Sequence, residues 1–245
     1  MKKLIVRIIQ KRNPHFQFDP RVSDYLLWCM IWNKSRMFLC GLRMLLKGKM
    51  PKNLLLGARV RLEYSRKIIL GKWVRIEHDS RLSALGTEGI TIGNNSGIGA
   101  FSSIIVSTSF QNIGSYIRIG SNVGIGEFAS LGGGGGLEIG DDCIIGQYFS
   151  CHPENHVHKN PEQPIRLQGV TREGIRIGKD CWIGSKVTIL DGVHIGDGCV
   201  IAAGAVVTQS FPAYSILAGV PARILRDRSE PGDLMKSTIS KVRTA

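Results

Sequence analysis

The sequence has few features of a secreted, metal-stabilised or membrane-spanning protein. Its six cysteines form no CxxC pair and no metal-finger spacing. No signal peptide is recognisable, because Arg7 interrupts the short apolar run that follows Lys2 and Lys3. Two apolar stretches, residues 25–32 and 37–46, are each shorter than the ~20 residues that a helix needs to span a bilayer. We therefore expect a cytoplasmic protein whose thiols are unpaired.

Acidic residues are scarce in the first third of the chain. Residues 1–75 contain 18 Lys or Arg and three acidic residues, whereas the other 170 residues contain 14 basic and 16 acidic ones. The net charge of +13 therefore belongs to one end. A basic end can bind nucleic acid, anionic lipid or a phosphorylated substrate. Its aromatic residues lie within apolar runs rather than among the basic residues, so we do not expect nucleic acid as a partner.

An aliphatic residue recurs at every sixth position through most of the chain. The longest series, which keeps its register without a slip, is Ile177, Ile183, Ile189, Ile195, Ile201 and Val207. Shorter series with the same period are Ile92, Ile98, Ile104; Ile119, Ile125, Leu131; and Ile139, Ile145, Cys151. Weaker copies are Leu70, Ile76, Leu82 and Leu56, Leu62, Ile68.

A period of six fits neither an α-helix, whose faces recur near 3.6 residues, nor a long strand, whose side chains alternate at two. It fits short strands separated by sharp bends, with one aliphatic side chain per unit pointing at a common axis. Neighbouring Gly, Asn and Asp residues supply the bends. A β-sandwich with turns every eight to twelve residues does not explain the unbroken register. We predict an all-β solenoid of stacked coils, whose handedness the spacing does not determine.

Two segments interrupt the repeat. Residues 132–136 are five consecutive glycines, which predict a bulging turn, and a plain loop is favoured over a ligand cradle. The repeat also stops after Cys151 and resumes at Ile177. An insertion of this length in a regular solenoid predicts a loop, residues 152–174, that extends from the coils, and long ordered loops are often functional.

The beginning of this loop contains the candidate catalytic residues. Cys151 continues the aliphatic series, so its thiol is predicted to be a core group rather than a nucleophile. His152 follows it and is placed to leave the core as the chain turns outward. His156 and His158 complete an HxxxHxH pattern, which also suggests a metal site. Because all three histidines share one loop, we do not expect a metal.

Several motifs resemble those of the hexapeptide-repeat acetyltransferases. They are the Ile-Gly-x-x-x-x repeats, the His152-Pro153 pair at the start of the loop, and three segments at residues 180–185, 201–208 and 218–223. Over about residues 53–226 the chain is similar to the galactoside and maltose O-acetyltransferases and to the sugar O-acetyltransferases of surface-polysaccharide clusters. Residues 1–52 differ from the short helical start of the galactoside and maltose enzymes, which disfavours a free small sugar as acceptor.

The resemblance implies a left-handed parallel β-helix that forms a homotrimer and uses acetyl-CoA as its acyl donor. It implies that His152 is the general base, with His156 as the alternative, because the loop lacks the Asp-His-Asn-His cluster common in the surface-polysaccharide enzymes. Matched positions expected to contact the pantetheine arm are Trp182, Ser185, Ala203 and Thr208. Matched positions expected at the nucleotide end are Arg223 and Arg226, since arginine forms charge-assisted hydrogen bonds with phosphate.

The division of the chain follows from these patterns. Residues 1–52 form a basic, amphipathic and helical segment, residues 53–226 the β-helix with its loop, and residues 227–245 a tail. The first segment has two interpretations of equal weight. It caps the first coil of the solenoid, or it holds the protein peripherally at the inner leaflet of a membrane, near a lipid-linked glycan.

The predicted function is acetyl-CoA-dependent O-acetylation of a saccharide hydroxyl in the synthesis of a capsule, O-antigen or exopolysaccharide. A neutral imidazole can take the hydroxyl proton during attack on the thioester. Glu154 is a candidate to orient that imidazole, although a solvated carboxylate is the simpler interpretation. Two alternatives remain open, N-acetylation of an aminosugar nucleotide and a non-enzymatic trimeric scaffold at the membrane.

Overall fold

A computed structural model describes residues 2–10, 16–47 and 53–229 of the chain. Most of the predicted tail, and residues 11–15 and 48–52 of the first segment, lie outside the described residues. The described helices are α1 (Lys2–Gln10) and α2 (Asp24–Gly41). Short 3₁₀ helices follow at Leu42–Lys47, Ser65–Lys67 and Ile165–Leu167.

The rest of the described chain is built from short strands. In chain order they are β1 (Leu55–Leu56), β2 (Arg61–Glu63), β3 (Ile68–Leu70), β4 (Arg75–Ile76), β5 (Arg81–Ser83), β6 (Gly86–Ile92), β7 (Gly97–Ile98), β8 (Ser103–Ile105), β9 (Gly114–Ile119), β10 (Gly124–Ile125), β11 (Ser130–Gly132), β12 (Leu137–Ile139), β13 (Ile144–Ile145), β14 (Ser150–His152), β15 (Asn155–His156), β16 (Val170–Thr171), β17 (Ile175–Ile177), β18 (Trp182–Ile183), β19 (Thr188–Leu190), β20 (His194–Ile195), β21 (Val200–Ile201), β22 (Val206–Val207), β23 (Ser215–Gly219) and β24 (Ala222–Asp227).

The strands form the three faces of a prism. Sheet A has the order β1-β4-β7-β10-β13-β18-β21-β23-β24, sheet B the order β2-β5-β8-β11-β14-β19-β22, and sheet C the order β20-β17-β12-β9-β6-β3. Neighbouring strands in each sheet are parallel, except that β24 folds back antiparallel on β23. The chain therefore visits faces C, A and B in turn and then repeats, which is a parallel β-helix.

The six-residue series forms the core of this prism. Ile177 pairs with Ile195, Ile183 with Ile201, and Ile189 with Val207 on sheets C, A and B respectively. All six side chains are buried and belong to one continuous apolar cluster. The prediction of a stacked solenoid is confirmed, because each aliphatic residue lies against its equivalent in the next coil.

The corners of the prism use more residue types than predicted. Asn95, Asn122 and Asp142 bend the chain between sheets C and A with φ near +60°, as expected of Asn and Asp. Between sheets A and B the same backbone conformation is adopted by Phe101, Phe128 and Tyr148. Their rings stack with centroids 5.0 and 4.9 Å apart, so side-chain packing helps to stabilise a conformation that aromatic residues rarely adopt.

The first coil is covered by the helical segment. Helix α2 packs against β1, and Met44 of the following 3₁₀ helix joins the core. A methyl group built on Gly41 would lie 2.2 Å from the carbonyl oxygen of Leu54, so the helix backbone touches the start of the solenoid. This contact agrees with the cap interpretation of the segment. No helix among the described residues is long and apolar enough to cross a membrane.

Candidate active site

His152 lies at the end of a core strand, on the outside of the prism. It is the last residue of β14 and pairs with Leu190 of β19, while Cys151 pairs with Ile189. Because successive side chains of a strand point to opposite faces, Cys151 points inward and His152 outward. Cys151 is buried, as predicted, and burial raises the pKa of its thiol well above the ordinary range. His152 is exposed, and no described residue forms a hydrogen bond with its imidazole.

The segment that follows His152 leaves the prism at the corner between sheets B and C. It forms a small hairpin in which His156 of β15 pairs with Val170 of β16, and it rejoins the prism at β17. His156 and His158 are both exposed, and His158 Nδ1 lies 3.1 Å from the carbonyl oxygen of His156. Within the described part of the chain, no group of three or more His, Cys, Asp or Glu residues is arranged to hold a metal ion.

Arg172 anchors the loop to the prism. Its Nε donates to Glu154 Oε2 at 3.0 Å, which joins the outgoing and returning strands of the hairpin. Its Nη1 donates to Asn112 Oδ1 at 2.8 Å and to the Ile113 carbonyl oxygen at 2.9 Å, on the connection between β8 and β9. Glu154 is therefore an ion-pair partner of Arg172, with a side chain that is 39% exposed, and no described hydrogen bond joins it to His152. The sequence contained no pattern that identified Arg172 or Asn112.

The glycine run packs underneath this loop. Gly132 ends β11, and the following glycines turn the corner to β12. Gly135 N donates to the Pro153 carbonyl oxygen at 2.8 Å, and a methyl group on Gly135 would lie 2.6 Å from that oxygen. A methyl group on Gly134 would lie 2.4 Å from Glu154 Oε2. Close approach of two backbones explains Gly135, and the Glu154 side chain lies against Gly134, so the run supports the loop that begins at His152.

Three predicted pantetheine contacts lie around sheet A. Trp182 is the first residue of β18, points away from the core and is 56% exposed. It pairs with Val200 of the next coil, and the same register places Ser185 beside Ala203 at the corner between sheets A and B. Ser185 and Ala203 are both exposed. These residues form a continuous surface over two adjacent coils.

The predicted phosphate contacts continue the same sheet. Trp182 pairs with Val200, Val200 with Ile216, and Ile216 with Arg226. Three strand spacings of about 4.8 Å put Arg226 roughly 14 Å from Trp182 along sheet A. Arg223 is exposed on the same strand as Arg226, and its guanidinium donates to the carbonyl oxygen of Ala222 at 2.8 Å.

The fourth pantetheine residue lies instead with the histidine. Thr208 follows Val207, the partner of Ile189, so it is in line with Leu190 and His152 on sheet B. Two strand spacings put His152 and Thr208 about 10 Å apart. Ser185 lies at the corner between sheets A and B, whereas Leu190 ends its strand at the corner between sheets B and C. The two residues are five positions, or roughly 15 Å of chain, apart. Within one chain, therefore, His152 and Thr208 form one group, and Trp182, Ser185 and Ala203 form another.

Comparison with known proteins identifies the repeat. Residues 174–209 match the family profile described as the hexapeptide repeat of succinyl-transferase. A Mycobacterium tuberculosis protein named a probable acetyltransferase is 39% identical over 92 residues, which are 38% of this chain and 31% of that protein. A Staphylococcus aureus 2,3,4,5-tetrahydropyridine-2,6-dicarboxylate N-acetyltransferase is 42% identical over 67 residues, which are 27% of this chain and 28% of that protein. The chain thus spans about a third of the length of these two relatives.

A solved structure supports the fold over a longer part of the chain. A variant of AntD, an N-acyltransferase from Bacillus cereus crystallised with dTDP-4-amino-4,6-dideoxyglucose and coenzyme A, is 20% identical to this chain. The match covers 78% of this chain and 86% of AntD, with a TM-score of 0.50. The predicted fold, a left-handed parallel β-helix with an N-terminal helical segment, is confirmed.

Proposed function

Because the chain belongs to the hexapeptide-repeat acetyltransferase family, we propose that it transfers an acetyl group from acetyl-CoA to a saccharide hydroxyl. The observation that supports this most strongly is the position of His152. It ends a buried strand, points out of the prism and begins a loop that Arg172 holds in place. A general base needs this combination of an exposed imidazole and a rigid support.

In the proposed reaction the His152 imidazole takes the proton of the acceptor hydroxyl while the hydroxyl oxygen bonds to the thioester carbon. The carbon–sulfur bond then breaks, and the imidazolium returns the proton to the departing thiolate. General base catalysis of this kind contributes roughly 10²–10⁴-fold to the rate. The thiolate is a good leaving group, so no covalent intermediate on the protein is needed.

The proposed assembly is a homotrimer with its active sites between neighbouring copies. Support comes from the separation of the candidate residues within one chain. His152 and Thr208 lie on one side of sheet B, whereas Trp182, Ser185 and Ala203 lie on the other side. A groove between two copies would place the histidine of one copy opposite the sheet A surface of the other. Acetyl-CoA would then lie along that groove, with its phosphates toward Arg223 and Arg226.

The proposed acceptor is a glycan destined for a surface polymer and linked to lipid at the inner leaflet. The basic N-terminal segment supports peripheral membrane association, since residues 1–75 contain 18 Lys or Arg and three acidic residues. A second candidate function is N-acetylation of an aminosugar nucleotide. The match to an N-acetyltransferase at 42% identity over 67 residues favours transfer to nitrogen, although that relative is named for a dicarboxylate acceptor and not for an aminosugar.

Release of free thiol from acetyl-CoA, measured with a panel of acceptors, tests the proposal. We expect thiol release that depends on neutral saccharides with free hydroxyls and exceeds the rate without acceptor. Preference for aminosugar nucleotides would replace O-acetylation with the second candidate. Thiol release that no acceptor increases would contradict the enzymatic proposal and favour a trimeric scaffold.

A further inference from the structure

Helix α2 presents large apolar side chains on two sides, but the prism covers only one of them. Among its 18 residues only Asp24, Lys34 and Arg36 are charged. Leu27, Met37 and Gly41 are buried and face the first coil. A surface helix normally has one apolar side against the core and polar residues on the opposite side. The remaining side of α2 therefore requires another explanation.

The uncovered side presents large aromatic and aliphatic groups. Tyr25, Trp28, Trp32 and Leu39 are spaced by three, four and seven residues, which places them on one face of a helix. They are 74%, 61%, 66% and 63% exposed respectively. This outer face, defined by these four residues, is contiguous and points away from the side that contacts β1. Isolated apolar residues on a surface are ordinary, whereas a contiguous row of this kind marks an interaction surface.

The outer face belongs to a segment whose net charge is positive. By helical spacing, Arg36 lies on the same side of α2 as Trp32, and Asp24 lies one turn before Trp28; both charged residues are exposed. Arg36 forms no ion pair with any described residue. The nearby Arg21 is paired with Asp19 at 2.7 Å. The excess of cations over carboxylates is therefore a property of the basic N-terminal segment as a whole, with 18 Lys or Arg and three acidic residues in residues 1–75.

We propose that the outer face of α2 docks on an anionic membrane surface. Trp and Tyr prefer the interface between lipid headgroups and acyl chains, and Arg and Lys beside them are attracted to anionic headgroups. Contact with the prism fixes the opposite side of the helix, so α2 lies in the plane of the interface and does not cross the membrane. The alternative of a second copy on this face is disfavoured, because the same basic segment on both copies would repel itself.

Flotation of the full-length protein with lipid vesicles tests this proposal. We expect the wild-type protein to float with vesicles of phosphatidylcholine and phosphatidylserine, and much less with phosphatidylcholine alone. The double variant Trp28→Gln/Trp32→Gln should partition at least about tenfold more weakly, because it loses two interfacial aromatic anchors. Phe110→Gln is the matched control, since Phe110 is a 76% exposed aromatic residue on the prism. The control should float like the wild type.

Three outcomes would overturn the proposal. The first is a wild-type protein that does not float with anionic vesicles. The second is equal flotation of the double variant and the wild type, which would assign binding to another part of the chain. The third is self-association of the wild type through this face, seen as a larger oligomer that the double variant loses. Thiol release with a soluble acceptor and no vesicles should be the same for the wild type and the double variant. Failure of the membrane proposal can therefore be distinguished from failure of the proposed catalysis.

Discussion

Arg172 Nε donates to Glu154 Oε2 at 3.0 Å across the two strands of the loop that begins at His152. The same guanidinium reaches Asn112 and Ile113 on the connection between β8 and β9, two coils earlier, so one side chain connects three segments. Arg172 is only 20% exposed, which strengthens these charge-assisted hydrogen bonds relative to those of a solvated pair. The position of the loop therefore depends on a residue that is 20 positions from the candidate base.

Arg172→Gln is expected to loosen the loop and to lower turnover. The substitution leaves Glu154 without its cation and removes the donors to the Asn112 side chain and the Ile113 carbonyl. We expect faster amide hydrogen exchange in residues 152–174 and a lower kcat, with partial rescue in Arg172→Lys, which keeps the charge but loses the planar fork. Arg176→Gln is the matched control, because its ion pair with Glu138 is long, at 3.8 Å, and exposed. Unchanged hydrogen exchange in Arg172→Gln would contradict this prediction.

His152→Ala is expected to lower turnover at least about a hundredfold while the oligomer is retained, because the base is lost from an exposed position that supports no packing. The measurement is thiol release from acetyl-CoA with the best acceptor found, together with the molar mass in solution. His156→Ala is the comparison, since His156 belongs to the same loop and is also exposed. A large loss in His156→Ala with near-normal activity in His152→Ala would identify His156 as the base.

Gly135→Ala is expected to destabilise the protein by about 1–3 kcal/mol, as overpacking of a closely packed region usually does. The new methyl group would lie 2.6 Å from the Pro153 carbonyl oxygen and 2.9 Å from Gly174 N, both of which are backbone atoms. Gly124→Ala is the matched control, because a methyl group there meets no atom within 4 Å. Thermal or denaturant unfolding of both variants measures the difference. Equal stability of the two variants would show that the glycine run does not need to be close-packed.

Asp79 is expected to make the stability of the protein sensitive to acid. Hydrogen bonds from Arg59 and then from His78 lower the pKa of Asp79 to about 2, from an ordinary value of 3.8. Between these two pKa values the unfolded chain binds more protons than the folded one. The contribution of ionised Asp79 to the free energy of unfolding is therefore complete above pH ~4 and is lost as the pH falls toward 2. Asp79→Asn keeps a residue that tolerates positive φ and should flatten the decline of Tm in that interval.

The control for the acid prediction is the same substitution in an Arg59→Gln background. Arg59 forms the larger part of the interaction, with Nε 2.5 Å from Asp79 Oδ1. We therefore expect Asp79→Asn to change the acid dependence less in that background than in the wild type. An equal change in both backgrounds would mean that Arg59 is not the cause of the lowered pKa.

The core of the fold could be predicted from sequence because each coil repeats one simple requirement. Ile177, Ile183 and Ile189 belong to three different sheets, and the next three members of the series lie directly against them. A regular period therefore identifies the buried residues without knowledge of long-range contacts. The handedness of the β-helix followed only from the resemblance to known acetyltransferases, because left-handed and right-handed coils would stack the same side chains.

The corners and the loop were less predictable. Phe101, Phe128 and Tyr148 bend the chain in a conformation that sequence rules assign to Gly, Asn or Asp. Their rings stack on one another only because successive coils are stacked, and a single-residue rule does not include that contact. The contacts of Arg172 join residues up to 60 positions apart. No local pattern predicts such contacts. Likewise, the sequence suggested that α2 has one apolar face, whereas the structure has one apolar face against the prism and a second in the open.

The pairing of His152 with Leu190 has a further consequence. The chain leaves the prism after His152 and returns to it at the same corner. Strands β14 and β17, before and after the loop, therefore pair with the neighbouring coils as they would without the loop. Its length and composition can then change without shifting any coil relative to its neighbours. Exchange of this hairpin alone between related proteins would therefore change the surroundings of the candidate base and leave the prism unaltered.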